Sequence, residues 1–468
     1  PVDPPIGKES LYATQFKNLP IGQMEEKFAD YGEVQIKQLN DRSKMYYTPN
    51  KENNVFQLVV QYGAGEREFP KLGYAAQLMN NAGIMGAYEP QELKEELSKL
   101  NATCHVTADD DNLYIIMEGY EATLPQACQL LSRQILMPKL DEKQLARLKG
   151  SAMGMRQQRK DNVSILNEAL RQYMLYGEKS DYIKELTDKE IYELQISELT
   201  GDINRASNYE AKVFFTGTLP FDQVYDILSK NLPLVANERP SNSPQAKDMM
   251  PVTENTVYFL PNNDAEQAQI HLYIPMQKAD KKDDVLRSAF NQYFGLDFTG
   301  IVLNEIREKR SMAYTAYAFV GTQGIAGKAS YLRGYIGTQN DKANDALDVL
   351  MGLVNDMPKN PERIDNIKSY LRQAMLTSHP SFRNKAMELV DLGYRGYTDD
   401  PAKENLPKVD ALTFDDIVKF YEENIKDKPY CISIMGNPKN IDLKRLEKFG
   451  KVVKLNERKL FNTKDALF

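Results

Sequence analysis

Three histidines, three cysteines and scattered acids are the side chains that could carry out chemistry in this chain, and their spacing rules out most of it. His105, His271 and His379 lie in three separate segments. No His-x-x-Glu-His, His-x-x-x-His or Asp-rich calcium loop gathers metal ligands locally. Cys104, Cys128 and Cys431 are odd in number, far apart and never in a Cys-x-x-Cys pair, which excludes a disulfide scaffold and a zinc ribbon. The phosphate loop Gly-x-x-x-x-Gly-Lys-Ser/Thr, the dinucleotide turn Gly-x-Gly-x-x-Gly and the nucleophile elbow Gly-x-Ser-x-Gly are also missing. His105, beside Cys104 and just ahead of Asp109, Asp110 and Asp111, reads as part of a hairpin with an acidic, solvated turn. His271 alternates within a strand pattern and His379 precedes Pro380 between helices, so both read as structural. The chain thus carries no self-contained catalytic motif.

The scaffold that would position such residues is large. At 468 residues the chain exceeds what one hydrophobic core usually spans, so two or more domains are expected. Hydrophobic residues at 42% and charged residues at 27% give an ordinary globular balance, without long disordered segments. With 59 Lys+Arg against 66 Asp+Glu the net charge is -7, which argues against nucleic acid as a partner. The basic clusters at 156–160 and 278–282 hold no interleaved aromatics and read as solvated faces. No apolar run approaches the roughly 18 residues of a membrane span, so no membrane partner is expected. The chain begins Pro1-Val2-Asp3-Pro4-Pro5 without Met or a charged-then-apolar leader, so no signal peptide is expected and the start reads as an interior cut. A soluble protein is expected, with bacterial periplasm and cytoplasm both open.

Four features recur in the same order. Strand patterns at 55–60 and 269–274 each precede a polar stretch and a helix. Thr187 with Glu190, and Thr413 with Asp416, each form a capping-box pattern before an amphipathic helix. Runs rich in β-branched and aromatic residues follow at 212–216 and 430–434 and end at Gly217 and Gly436. Helical stretches then come at 221–231 and 441–449. This order predicts an α+β fold of two tandem similar domains, each a mainly antiparallel sheet with helices packed on one side. Hairpins are predicted around 109–112 and around the Gly-rich 321–327, with long helices over 122–135 and 361–377. The boundaries fall at 1–24 for an extended arm, 25–236 for the first domain, 237–254 for a linker, and 255–468 for the second domain.

The segment Leu303-Asn304-Glu305-Ile306-Arg307-Glu308-Lys309-Arg310-Ser311-Met312-Ala313-Tyr314 resembles the C-terminal signature of the pitrilysin/insulinase zinc metallopeptidases. That signature has an Arg near the end of a helix and a Tyr seven residues on, at the start of a strand. A looser resemblance covers nearly the whole chain, including Leu392-Gly393-Tyr394, Asp399-Asp400-Pro401 and Ile434-Met435-Gly436-Asn437-Pro438. Family members have two similar halves, and the first holds zinc through His-x-x-Glu-His and a distant Glu. Here Gly73-Tyr74-Ala75-Ala76-Gln77-Leu78-Met79-Asn80 stands in that place, with Ala76 and Asn80 at the His positions and Met79 at the Glu. Around 151–155, where the distant Glu should fall, there is no acid.

The resemblance therefore implies the non-catalytic C-terminal half, or partner subunit, of a zinc endopeptidase, with no metal and no cofactor in this chain. Zinc is expected in a partner half bearing His-x-x-Glu-His. Arg307 and Tyr314 are the implied catalytic residues: Tyr314 to stabilise a developing oxyanion and Arg307 to hold substrate carbonyls. Peptide substrates would pair their backbone with a sheet edge, mainly in the partner half. The alternative is a structural or peptide-binding protein without a proteolytic role.

Overall fold

The computed structural model describes residues 11, 12, 15, 25–236, 238–295 and 299–463; apart from those three positions, the expected arm over 1–24 lies outside the described residues. The first sheet is built from β1 (Gln35–Gln38), β2 (Lys44–Pro49), β3 (Val55–Tyr62), β4 (Thr103–Ala108), β5 (Leu113–Tyr120) and β6 (Ala211–Gly217), in the order β1-β2-β6-β3-β5-β4. The second contains β7 (Thr256–Pro261), β8 (Gln267–Lys278), β9 (Ala313–Thr322), β10 (Ala329–Gln339), β11 (Cys431–Gly436) and β12 (Lys451–Lys454), in the order β9-β10-β8-β11-β7-β12. Read inward from the edges β4 and β9, the first five positions of the two sheets correspond: β4, β5, β3, β6 and β2 with β9, β10, β8, β11 and β7. The sixth strand breaks the match: β1 precedes its sheet in sequence and runs antiparallel to β2, whereas β12 closes the chain and runs parallel to β7. The sheets are mixed rather than purely antiparallel, since β2 pairs parallel with β6 and β7 pairs parallel with β11.

The hairpins fall where turn chemistry predicts them. Asp109 accepts backbone N–H bonds from Asp111 and Asn112 through its side chain, closing the β4–β5 turn. Both capping boxes form: Thr187 and Glu190 exchange side-chain and backbone bonds, as do Thr413 and Asp416. The first helix differs from expectation. It stops after Asp188–Tyr192, and a further capping box at Gln195 and Glu198 starts Ile196–Ala206.

Each sheet buries one face under helices of its own half. Phe56, Leu58 and Val60 of β3 pack with Leu72, Ala75 and Ala76 of α1 (Leu72–Met79) and with Leu124 and Leu131 of α2 (Leu124–Leu136). Ile270, Leu272 and Ile274 of β8 pack with Phe290 and Phe294 of α4 (Asp284–Phe294) and Leu347 and Leu350 of α5 (Ala343–Asn355); α3 (Val163–Tyr176) lies between in sequence.

One-sided cover is not the whole arrangement. Leu166, Ala169 and Leu170 of α3 pack on Leu260 and Met435 of the second sheet, and Met174 and Leu175 of α3 pack on Tyr273 and Cys431. In return α6 (Lys385–Tyr394), from the second half, lays Ala386 against Val59 and Phe214 of the first sheet. Each half therefore covers the other's outer sheet face. This explains why central strands such as β11 are buried at every residue instead of alternating. Residues 238–254 form neither helix nor ladder strand but bond to both halves: Asn242 N–H donates to the Gly63 carbonyl at 2.8 Å and Lys247 N–H to Gln323 Oε1 at 2.7 Å.

Candidate functional site

Arg307 and Tyr314 are brought together by an irregular connection between helix and edge strand. The helix beginning at Ile301 widens into a π turn over Asn304–Glu308, where Lys309 N–H reaches back to the Asn304 carbonyl at 2.9 Å. Ser311 adopts the left-handed region at φ 49°, uncommon for a residue with a Cβ. The turn is held by bonds from Ser311 N–H to the Arg307 carbonyl (2.8 Å) and from Met312 N–H to the Ile306 carbonyl (2.9 Å). Ile306 is fully buried beneath it and anchors the turn to the second core.

The strand then opens with a register shift. Ala313 faces Thr338 and Thr315 faces Gly337, so Tyr314 is the extra residue of a bulge. Bulges of this kind re-aim a side chain, and Tyr314 is 78% exposed on the edge strand β9. The Arg307 guanidinium lies 5.1 Å from the centre of its ring, within cation–π range. The Arg307 Nε is 3.4 Å from Glu308 Oε1. Neighbouring Glu305 pairs with Lys309 at 2.6 Å and Arg310 at 2.5 Å. Burial opposes ionisation of Glu305, but these two cations prevail and hold it below the usual carboxylate range. The result is an exposed phenol beside a guanidinium, both able to donate to carbonyl or oxyanion oxygens.

In the first half α1, the counterpart of α4 rather than of the Arg307 helix, is closed. Ala76 and Met79 are each 1% exposed and belong to the hydrophobic core. Asn80, at the end of α1, is engaged by backbone: its Nδ2 donates to the Ala76 and Val106 carbonyls at 3.2 and 2.9 Å, and its Oδ1 accepts from Val106 N–H at 2.8 Å. Gln134 donates to the Met79 and Ala82 carbonyls just past it. The 151–155 region lies within the helix Glu142–Gln157, with Ala152 buried. These residues do not fit a zinc ion, and among the described residues no group of three or more His, Cys, Asp or Glu could hold a metal.

At the N-terminal side of α1, Glu66 lines a cleft of about 740 Å³ with Arg67, Asp110, Asp181 and Lys247. Burial, with the like charges of Asp110, Asp109 and Asp181, pushes the Glu66 carboxyl up to about 7. The Lys247–Asp181 and Arg67–Asp110 pairs balance charge across this cleft.

Of the histidines, His105 and His379 are exposed and His271 is 2% exposed. His271 Nε2–H donates to Asn167 Oδ1 on α3 at 3.0 Å, a bond between the halves. Burial, with Arg333 and Arg171 nearby, pushes its imidazole down to about 3. Sequence reasoning missed Asn291, which bonds Val320 of β9 as Asn80 bonds Val106 of β4; the only signal for it was an Asn late in each post-strand helix.

Residues 207–371 match the sequence model of the peptidase M16 inactive domain. No curated protein matches the chain. Among solved structures, a peptidase M16 inactive domain from Pseudomonas fluorescens is similar with a TM-score of 0.67 at 17% identity, covering 87% of this chain and 99% of that one. The ferredoxin protease FusC, in complex with Arabidopsis ferredoxin, has a TM-score of 0.67 at 12% identity, over 91% of this chain and 49% of that one. The periplasmic protease PqqL from Escherichia coli has a TM-score of 0.65 at 12% identity, over 91% of this chain and 50% of that one. These likenesses show a shared fold, and the chain spans about half the length of the latter two proteins. Among the described residues no helix is long and apolar enough to cross a membrane.

Proposed function

We propose, from the premise that this chain carries the inactive domain of the M16, pitrilysin-type peptidases, that it is the non-catalytic half or partner subunit of a zinc-dependent endopeptidase. It closes a peptide chamber against a catalytic half bearing His-x-x-Glu-His. The observation that carries this reading is the Arg307–Tyr314 pair, an exposed phenol beside a partly exposed guanidinium at a bulged sheet edge. The core-filled positions Ala76 and Met79 support the assignment of the chemistry to the other half.

A zinc ion held by the catalytic half would supply the activated water. In this chain, Tyr314 donates its hydroxyl hydrogen bond to the oxygen that becomes negative as the peptide carbonyl is attacked. Arg307 offers several fixed N–H donors to substrate carbonyls and, stacked against the ring, limits the directions the phenol can take. An interaction made only as charge develops raises turnover, whereas one made throughout also tightens substrate binding.

The test is reconstitution. The purified chain is expected to hydrolyse no peptide alone and to confer activity when mixed with the catalytic half. Tyr314→Phe in the mixture should lower kcat roughly 100-fold, the typical loss of one oxyanion donor, with the melting temperature unchanged. No gain of activity on mixing would favour a structural or peptide-binding role, and normal kcat in Tyr314→Phe would remove the catalytic assignment.

A further inference from the structure

We infer that Asn80 and Asn291 are matched plugs, one in each half, that occupy backbone groups of the two equivalent edge strands and keep both edges from accepting an added peptide strand at those places. The inference rests on the geometry of the two edges and stands whether or not the chain joins a peptidase. An edge strand exposes a row of N–H and C=O groups that another strand can pair with. β4 and β9 are the ends of their sheets.

In the first half, Val106 N–H donates to Asn80 Oδ1 at 2.8 Å and Asn80 Nδ2 donates to the Val106 carbonyl at 2.9 Å. In the second half, Val320 N–H donates to Asn291 Oδ1 at 2.6 Å and Asn291 Nδ2 donates to the Val320 carbonyl at 3.0 Å. A carboxamide offers one acceptor and one donor group side by side, and here it satisfies the same two backbone groups that an incoming strand would. Each valine stands two residues before the end of its strand, at Ala108 and at Thr322. Each asparagine lies late in, or just past, the helix that follows the equivalent strands β3 and β8. The same device, placed at the same point in both halves, is a feature of the scaffold rather than a local accident of packing.

The second edge is closed further. Ala318 N–H donates to the Gly295 carbonyl at 3.1 Å, so two successive outward-facing amides of β9 are taken. Gly295 is suited to this approach, since a Cβ there would lie 3.0 Å from the Ala318 backbone. Beyond these plugs β9 continues back to Tyr314, which leaves side-chain donors at its exposed start and no free backbone rail along its end. A peptide strand laid along this stretch of β9 therefore finds the amides of Ala318 and Val320 already taken.

Amide hydrogen exchange resolved to single residues tests the plugs directly in the unmodified chain. Val106 and Val320 amides are expected to exchange slowly despite their edge positions; exchange near the rate of unstructured chain would overturn the inference. Asn80→Ala should speed exchange at Val106 by about 10-fold, the scale of one lost hydrogen bond, and leave Val320 unchanged. Asn291→Ala should do the reverse, and no change at either site would also overturn it. A fluorescein-labelled eight-residue peptide of alternating threonine and valine reports on closure of the edge. It should bind Asn80→Ala at least about 10-fold more tightly than the unmodified chain, and equal binding would show that the amide does not close the edge. None of these readouts depends on a catalytic half, so they fail independently of the peptidase reading.

Discussion

The two halves share a strand order, a helix after the equivalent strand and an amide clamp at the equivalent edge, yet they present opposite surfaces. In the first, the helix that could have held ligands turns Ala76 and Met79 into the core and uses Asn80 to pair with β4. In the second, a π turn, a left-handed serine and a bulge push Arg307 and Tyr314 outward at the start of β9. The difference teaches where a duplicated scaffold can diverge. Residues that fill a core are constrained by packing, whereas an irregular connection at an edge can re-aim side chains without disturbing the sheet.

The strongest way to break the comparison is to ask whether the halves are separate bodies. Phe56→Ala in the first core and Phe290→Ala in the second should each cost about 3–5 kcal/mol, since both rings are fully buried. Because α3 and α6 each cover the other half's sheet, either variant should unfold the described structure in a single transition, followed by circular dichroism and tyrosine fluorescence. Two separated transitions would show that the exchanged helices contribute little coupling.

Next in size is the site itself. Arg307→Ala in the reconstituted enzyme should raise KM and lower kcat/KM by roughly 10-fold or more, the scale of a hydrogen bond to a charged group. Its melting temperature should stay near that of the parent, because the side chain is partly exposed and its carboxylate neighbour, Glu308, is mostly so. A lowered melting point with normal KM would recast Arg307 as a packing residue.

His271 gives the acid response of the contact between halves. Its imidazole titrates near 3 in the folded chain against an ordinary value of about 6.5 when unfolded. The unfolded state thus takes up the proton first as pH falls. Stability should decline by about 1.4 kcal/mol per pH unit below about 6.5 until the folded value is reached, and should be insensitive to this group above it. His271→Gln, which can keep the bond to Asn167 without titrating, should remove that slope in denaturant titrations across pH. Parallel curves for the two proteins would assign the acid sensitivity to other groups.

The smallest effect sharpens the likeness rather than the contrast. Thr187→Ala and Thr413→Ala each remove one half of a capping box with the same reciprocal bonds. Each should cost about 1 kcal/mol, measured by chemical denaturation. A much larger loss at either one would mark a cap bearing on more than its own helix.

The amino-acid sequence by itself determined what is local. Capping boxes at Thr187 and Thr413 and the Asp109 turn were legible because a few neighbouring residues satisfy each other's backbone groups. The absence of a local ligand cluster was legible in the same way, and Arg307 and Tyr314 stood out through a family resemblance in one short segment. Only the tertiary structure decided what joins distant parts of the chain. The bulge at Tyr314 depends on its register against Thr338 and Gly337, and the amide bonds of Asn80 and Asn291 reach strands 26 and 29 residues away. The reciprocal cover by α3 and α6 was hidden for the same reason: their apolar faces read as ordinary amphipathic helices, and hydrophobic burial carries no label naming the sheet against which it occurs.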